Sequence, residues 1–247
     1  MKEALIVDKT LAFDTSNRAL SVAVFDGETL LAQREANIAR NHSVQLLPFI
    51  DELTQSVGWQ PSDLTRVVVS DGPGSYTGLR IGVTTAKTLA FTLQLTLAPV
   101  SSLALLASNA EVTDALIVPI MDARNQNIYT GTYQWQSGAL INVDADKHSN
   151  IPNLIEHLKQ TNQPIVFAGE YAAFKQDLQS ALPKARFIND VLPHASHMPQ
   201  LVDENKLLTA IDDIHRFVPE YHRLSQAEAD WAKANPNVGD QVYVEQV

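Results

Sequence analysis

From Thr10 to Asn37 the sequence reads TLAFDTSNRALSVAVFDGETLLAQREAN. Three apolar, strand-like runs are broken by the polar Ser16-Asn17-Arg18 and by Asp26-Gly27. Asp-Gly is a strong hairpin signal because it supplies the positive φ angles of a type I′ turn. The chain therefore opens with an antiparallel three-strand meander. A helical pattern, a β-branched run and a second helical pattern follow. Farther on a hairpin again precedes helices, in abbreviated form. This repetition predicts two related α/β halves with a boundary near residues 99–110.

The first helix is read from HSVQLLPFIDELTQSVGW, where Leu46, Ile50, Leu53 and Val57 fall on one helical stripe and Gly58 and Pro61 close it. Asn41 or Ser43 suits its N-cap. TRVVVS is a buried strand, and a glycine-rich turn leads from it into a long helix. After Pro99, SSLALLASNA is helical. In ALIVPIMDARNQNIYTGTYQW two strands flank Asn125-Gln126-Asn127. Then come an IPNLIEHLKQ helix, a PIVFAG strand, a YAAFKQDLQSAL helix, a link containing proline and histidine, and an MPQLVDENKLLTAIDD helix. NPNVGDQVYVEQV reads as a loose tail.

Charge and cysteine content exclude several classes of function. Twenty-eight acids against 18 bases give a formal net charge of −10, which disfavours broad contact with nucleic acid. The absence of cysteine removes disulfides, thiolate nucleophiles and thiolate metal sites together. The opening MKEALIVDKTLAFDTS does not read as a signal peptide, and no apolar run approaches the roughly 20 residues of a membrane helix. The expectation is a cytoplasmic protein without membrane contact.

The stretch VVVSDGPGSYTGLRIGVTTAKTLAF, Val67 to Phe91, has the strand–glycine turn–helix layout that holds phosphates. Gly72, Gly74 and Ser75 are candidate phosphate-facing residues. The lysine of a Walker loop is missing, however, and Thr77 stands where GxGxxG needs its third glycine. A plain strand-to-helix connection fits the pattern as well. Asp14 and Thr15, at the end of the first strand, are candidates for a metal–phosphate contact, or else ordinary turn residues. Asp122 reads the same two ways beside Arg124. His194 and His197 sit in a proline-flanked loop without a third ligand. Neither HExxH nor GxSxG occurs.

Along the second helix Gly78, Gly82, Ala86 and Ala90 recur every four residues as a small-residue ridge, with Leu79 and Val83 on an adjoining face. A glycine inside a helix costs about 1 kcal/mol relative to alanine, so close packing should offset it. The ridge serves either packing within the subunit or a partner protein.

The segments LAFDTSNRALSVAVFDG, HSVQLLPFIDEL, GPGSYTGLRIGVTTAKTLA, PVSSLALLA, IMDARNQNIYTGTY and VPEYHRLSQAEADW together resemble the TsaB family of bacterial accessory proteins in tRNA threonylcarbamoyladenosine biosynthesis, formerly described as glycoprotease-like. The resemblance spans nearly the whole chain and is strongest at GPGSYTGLRIG. His222, in Tyr221-His222-Arg223, departs from it, since the family more often has an apolar residue there.

The resemblance implies an α/β, two-lobed actin/Hsp70/sugar-kinase-like (ribonuclease H-like) fold with a reduced second lobe. Residues 1–106 would form the N-terminal lobe carrying the dimerisation helices. Residues 107–247 would form the C-terminal lobe, with its last segment free to pack back on the first. It implies a noncatalytic partner of a TsaD-like catalytic subunit, acting with a TsaE-like ATPase, homodimeric when alone and touching tRNA only indirectly. ATP, magnesium and metal are expected on those partners, with no intrinsic cofactor. The catalytic relative carries HxxxH where this chain has Ser102 and Leu106. The expected partner surface comprises Leu46, Ile50, Leu53, Gly78, Leu79, Gly82, Val83, Ala86 and Ala90. Rival readings are an ATPase or phosphotransferase built on Asp14, Gly72–Ser75 and Asp122, and a peptidase.

Overall fold

A computed structural model describes residues 8–37 and 41–222. The reading of the N-terminal lead before residue 8 and of the tail from Arg223 onward lies outside these described residues.

The expected meander is β1 (Lys9–Asp14), β2 (Leu20–Asp26) and β3 (Thr29–Ala36), antiparallel throughout. Its second turn differs in type from the expectation. Gly27, at φ 60°, is the first central residue, and Glu28 stays at negative φ, which is a type II′ rather than I′ arrangement. After α1 (His42–Ser56), β4 (Arg66–Gly72) joins β1 in parallel, and β5 (Thr96–Ser101) joins β4 across α2 (Tyr76–Leu93). The first sheet thus runs β3-β2-β1-β4-β5.

The chain then passes through α3 (Ser102–Ala107) and repeats the plan. β6 (Leu116–Asp122), β7 (Asn127–Gln136) and β8 (Ala139–Asn150) form a second antiparallel meander. α4 (Ile151–Leu158) follows, β9 (Ile165–Gly169) joins β6 in parallel, and β10 (Arg186–Phe187) joins β9 after α5 (Lys175–Ala181). The order β8-β7-β6-β9-β10 is that of the first sheet, strand for strand. This duplicated mixed sheet matches the two-lobed α/β fold that the resemblance implies. The reduction of the second half lies in its helices. α4 and α5 have 8 and 7 residues, against 15 and 18 in α1 and α2.

Four apolar clusters stack these layers. Leu46, Phe49, Ile50 and Leu53 of α1 and Ala86 and Ala90 of α2 cover one face of the first sheet, against Leu11, Phe13, Val22, Val67 and Val69. Its other face, through Ala12, Ala23 and Val68, meets Leu105 of α3 with Ala195 and Met198. The opposite side of α3, Leu103 and Leu106, packs on Ile117, Met121 and Val166 of the second sheet. α4 and α5 close the far side.

The link expected to be a surface loop is instead part of this packing. Ala195 N–H donates to Ser21 Oγ at 2.8 Å, and His194 is held between Glu35 (2.7 Å) and Asp190 (2.8 Å). The hydrogen bond to Glu35 is the main reason that His194 titrates at about 9. A histidine raised in the folded state stabilises fully below its free value near 6.5, and that stabilisation is lost as pH rises through about 9. Urea titrations should therefore show stability falling between pH 7 and pH 9.5. His194→Ala should flatten that fall, at a cost on the order of 2 kcal/mol at pH 6. The expected helix from Met198 to Asp213 is also absent. Two 3₁₀ turns and an extended residue, Leu208, precede a short α6 (Ile211–Arg216).

Candidate functional site

The carboxyl ends of β1 and β4 face those of β6 and β9 across a cleft of about 1000 Å³. Open α/β sheets bind ligands at such strand ends. One wall is Ser16, Asn17, Arg18 and His42 with the first turn of α2, Ser75–Gly78. The other is Asp122, Arg124, Asn125, Tyr129 and Glu170, and Tyr221 and His222 form the side.

The glycine turn is occupied by the chain itself. A Cβ on Gly78 would run into the carbonyl oxygen of Thr15, and one on Gly74 into that of Ser16. Ser75 N–H donates to Ser16 O at 2.7 Å, and Thr15 Oγ1 donates to Gly78 O at 2.8 Å. Glycine is required here because the β1–β2 loop seats directly on the start of α2. Ser75 caps that helix, accepting from Gly78 N–H.

Of the six residues expected to face a phosphate, Gly74, Ser75 and Asp122 line the cleft, while Asp14, Thr15 and Gly72 do not. Asp14 is fully buried below it. Its Oδ1 accepts from Ser16 N–H, Oδ2 has no partner, and burial pushes its carboxyl up. Thr15 is buried under Gly82, and Gly72 lies against the Glu220 carbonyl.

Asp122 does the turn chemistry that its sequence allowed. Its Oδ1 accepts from Arg124 N–H at 2.7 Å. That bond supports Arg124, Asn125 and Gln126, all at positive φ, a conformation costing about 1 kcal/mol or more per residue outside glycine. Glu170 accepts from Asp122 N–H at 2.9 Å. Burial raises its carboxyl, while Arg18 across the cleft draws it back down.

The expected partner surface requires a correction. Leu46, Ile50, Leu53, Gly78, Leu79, Gly82, Val83, Ala86 and Ala90 are all buried within the subunit. A Cβ on Gly82 would meet Thr15 Oγ1, so the small-residue ridge lets α2 lie close on its own sheet and its β1–β2 loop. That contact offsets the helical cost of the glycines. The periodicity marked the inward stripe. The outward stripes of the same two helices carry Val44, Leu47 and Pro48 on α1, and Thr84, Thr88 and Phe91 on α2. Val44, Leu47 and Phe91 are 69%, 57% and 55% exposed. No sequence signal singled them out, because a surface apolar residue is recognisable only once the inward face is known.

Ser102 and Leu106 lie one turn apart on α3 and are fully buried, Leu106 against Gly169. His197 Nδ1 lies 3.0 Å from Ser108 Oγ, but that hydroxyl donates its hydrogen to Leu105 O at 2.7 Å. The imidazole must then be the donor and cannot serve as the base for Ser108. Among the described residues no cluster of three acidic, histidine or cysteine side chains could hold a metal. Nor is any described helix long and apolar enough to cross a membrane.

Over residues 29–231 the chain matches the family model described as TsaD: tRNA N6-adenosine threonylcarbamoyltransferase. It is 40% identical, over 225 residues, to the tRNA threonylcarbamoyladenosine biosynthesis protein TsaB of Bacillus subtilis (strain 168), covering 91% of this chain and 98% of that one. The chain belongs to the TsaB family, within the wider TsaD family. TsaB of Escherichia coli (strain K12) is 28% identical over 77% of this chain and 87% of its own length. The solved structure of YeaZ from Pseudomonas aeruginosa superposes with a TM-score of 0.69 at 26% identity, over 87% of this chain and 99% of that one. Another solved chain, described as an uncharacterized protein with similarity to peptidase YEAZ from Pseudomonas aeruginosa, gives 0.71. As a TsaB-family member the chain takes part in tRNA threonylcarbamoyladenosine biosynthesis.

Proposed function

We propose that this chain is a noncatalytic subunit that docks a TsaD-type catalytic subunit through the outward faces of α1 and α2. In this reading it supports transfer of a threonylcarbamoyl group to tRNA adenosine, working with a TsaE-type ATPase. Alone, it pairs with a second copy through the same face. ATP, magnesium and catalytic metal belong to the partners, tRNA is held mainly by them, and the assembly is cytoplasmic. Residues up to 106 act as the docking lobe, and the second lobe supports the cleft.

One observation carries the reading. Val44, Leu47 and Phe91 stand out from neighbouring helices of a chain with ten excess negative charges. Large apolar side chains left exposed along helices mark association surfaces in soluble proteins, here Val44 and Leu47 at the start of α1 and Phe91 near the end of α2. The faces of two adjacent helices suit a four-helix contact with a chain of like fold or with a second copy. Affinity capture with a purified TsaD-type protein tests this, wild type against surface variants of α1 and α2.

The cleft supports a second reading, nucleotide turnover by the isolated chain. Its size and the cationic Arg18 and Arg124 favour it, while the blocked glycine turn and the buried Asp14 weigh against it. The docking account expects no ATP hydrolysis by the purified chain above the background of an Asp122→Ala, Arg18→Ala variant. Hydrolysis lost in that variant would favour the second reading.

A further inference from the structure

The segment Leu207–His222 leaves the second lobe and runs back over the first. Leu208 exchanges backbone hydrogen bonds of 3.0 and 2.9 Å with Leu97 on the edge strand β5. Ile214 of α6 is buried in the cluster beneath α1 and α2. Lys87 of α2 donates to His215 O at 2.8 Å and to Phe217 O at 2.6 Å. Glu220 N–H then donates to Asp71 O at 2.8 Å, and Tyr221 stacks on Tyr76 with ring centroids 4.7 Å apart. With His222, Tyr221 completes the side of the cleft.

The side chains at this last crossing conflict. Asp71 after the core of β4, Asp146 of β8 and Glu220 of the returning segment bring three carboxyls together from three elements. The cation facing Asp71 is Lys206, at the foot of the segment. His222 faces Asp146 and lies 3.8 Å from Glu220 Oε2. Asp146 is itself held by Ser101 and Tyr133, at 2.5 Å each, and by Asn142. Asp71 has only its backbone carbonyl tied to the segment.

We propose that Leu207–His222 is a clasp released by deprotonation at Asp71, which when docked completes the cleft wall and covers one flank of α2. Burial first, and Glu220 next, hold the Asp71 carboxyl at about 7, Asp146 adding to the rise and Lys206 opposing it. A carboxyl raised above its free value near 3.8 takes up a proton on docking. The docked state therefore loses ground as pH rises from about 4 and stops losing it above about 7. Undocking frees Tyr221 and His222 from the cleft and bares the groove along Val83, Lys87 and Tyr76. Neither partner docking nor nucleotide binding is needed for this behaviour.

Hydrogen exchange on the full chain tests it. With intrinsic rates divided out, protection of the Glu220 amide should fall at least about tenfold between pH 5 and pH 8 and stay well below that of the Val24 amide in the sheet core, so that the fall reports undocking of the segment and not global unfolding. Asp71→Asn should hold Glu220 protection at pH 8 within about threefold of its pH 5 value. Glu220→Gln should give an intermediate fall, and it carries the test if Asp71→Asn does not fold. Protection independent of pH in the wild type, or a full wild-type fall in the variants, would overturn the clasp.

Discussion

Arginine in place of Leu47 is expected to weaken both self-association and capture by a TsaD-type subunit by at least about 100-fold, with the melting temperature unchanged within about 2 °C. Leu47 is 57% exposed, and its neighbour Leu46 is 1% exposed. Exposed substitutions usually change stability by less than about 0.5 kcal/mol, so the fold should not register the change. At the centre of an apolar contact, by contrast, an unpaired guanidinium costs several kcal/mol, at about 1.4 kcal/mol per tenfold in affinity. The same substitution one position earlier should unfold the chain, because Leu46 sits among Leu53, Trp59 and the β2 core residues. Sedimentation velocity and affinity capture, with thermal melts run on the same samples, separate the two outcomes. Full binding by both Leu47→Arg and Phe91→Arg would remove this face from consideration.

Gly78→Ala is expected to destabilise the chain by about 2–4 kcal/mol in urea unfolding, against the sign of helix propensity. An alanine in a helix gains about 1 kcal/mol over glycine, and at an open position that gain would decide the matter. Here the added methyl meets the Thr15 carbonyl. The β1–β2 loop must then move, which breaks the Thr15 Oγ1 bond to Gly78 O and the Ser75 N–H bond to Ser16 O. Two hydrogen bonds of about 1 kcal/mol each, one of them buried, plus backbone displacement, outweigh the propensity gain. A neutral or stabilised Gly78→Ala would mean that the loop does not seat on α2.

The sequence made the first meander, α1, β4 and α2 legible because each carries an unambiguous period or turn signal. Strands β5, β8 and β10 left no such mark, and all three are sheet edges. In β5, Pro99 pairs with Val69 where only an edge strand tolerates proline, and the neighbouring serines resembled a helix start. β8, ALINVDADKHSN, turns Ala139, Ile141, Val143 and Ala145 to solvent and half-buries Asp144, Asp146 and His148, the reverse of the apolar-inward alternation that marks a strand. The stretch from Met198 to Asp213 has helical composition, yet Pro199 and its contact with β5 hold it in turns. At the site, the four-residue recurrence from Gly78 to Ala90 marks a packed seam. Its partner was misassigned, because periodicity reveals that a face is covered and leaves open what covers it. Asp14 and Thr15 were chosen for their chemistry, and only the fold shows them turned beneath the cleft.

Reconstituted tRNA modification tests the docking account most directly. A TsaD-type subunit with a TsaE-type ATPase, ATP and the threonylcarbamoyl donor should modify tRNA only when this chain is added. The Leu47→Arg chain, equally folded, should fail to restore the reaction. Full modification without the chain, or undiminished rescue by a Leu47→Arg chain shown not to dock, would contradict a role exerted through the outer faces of α1 and α2.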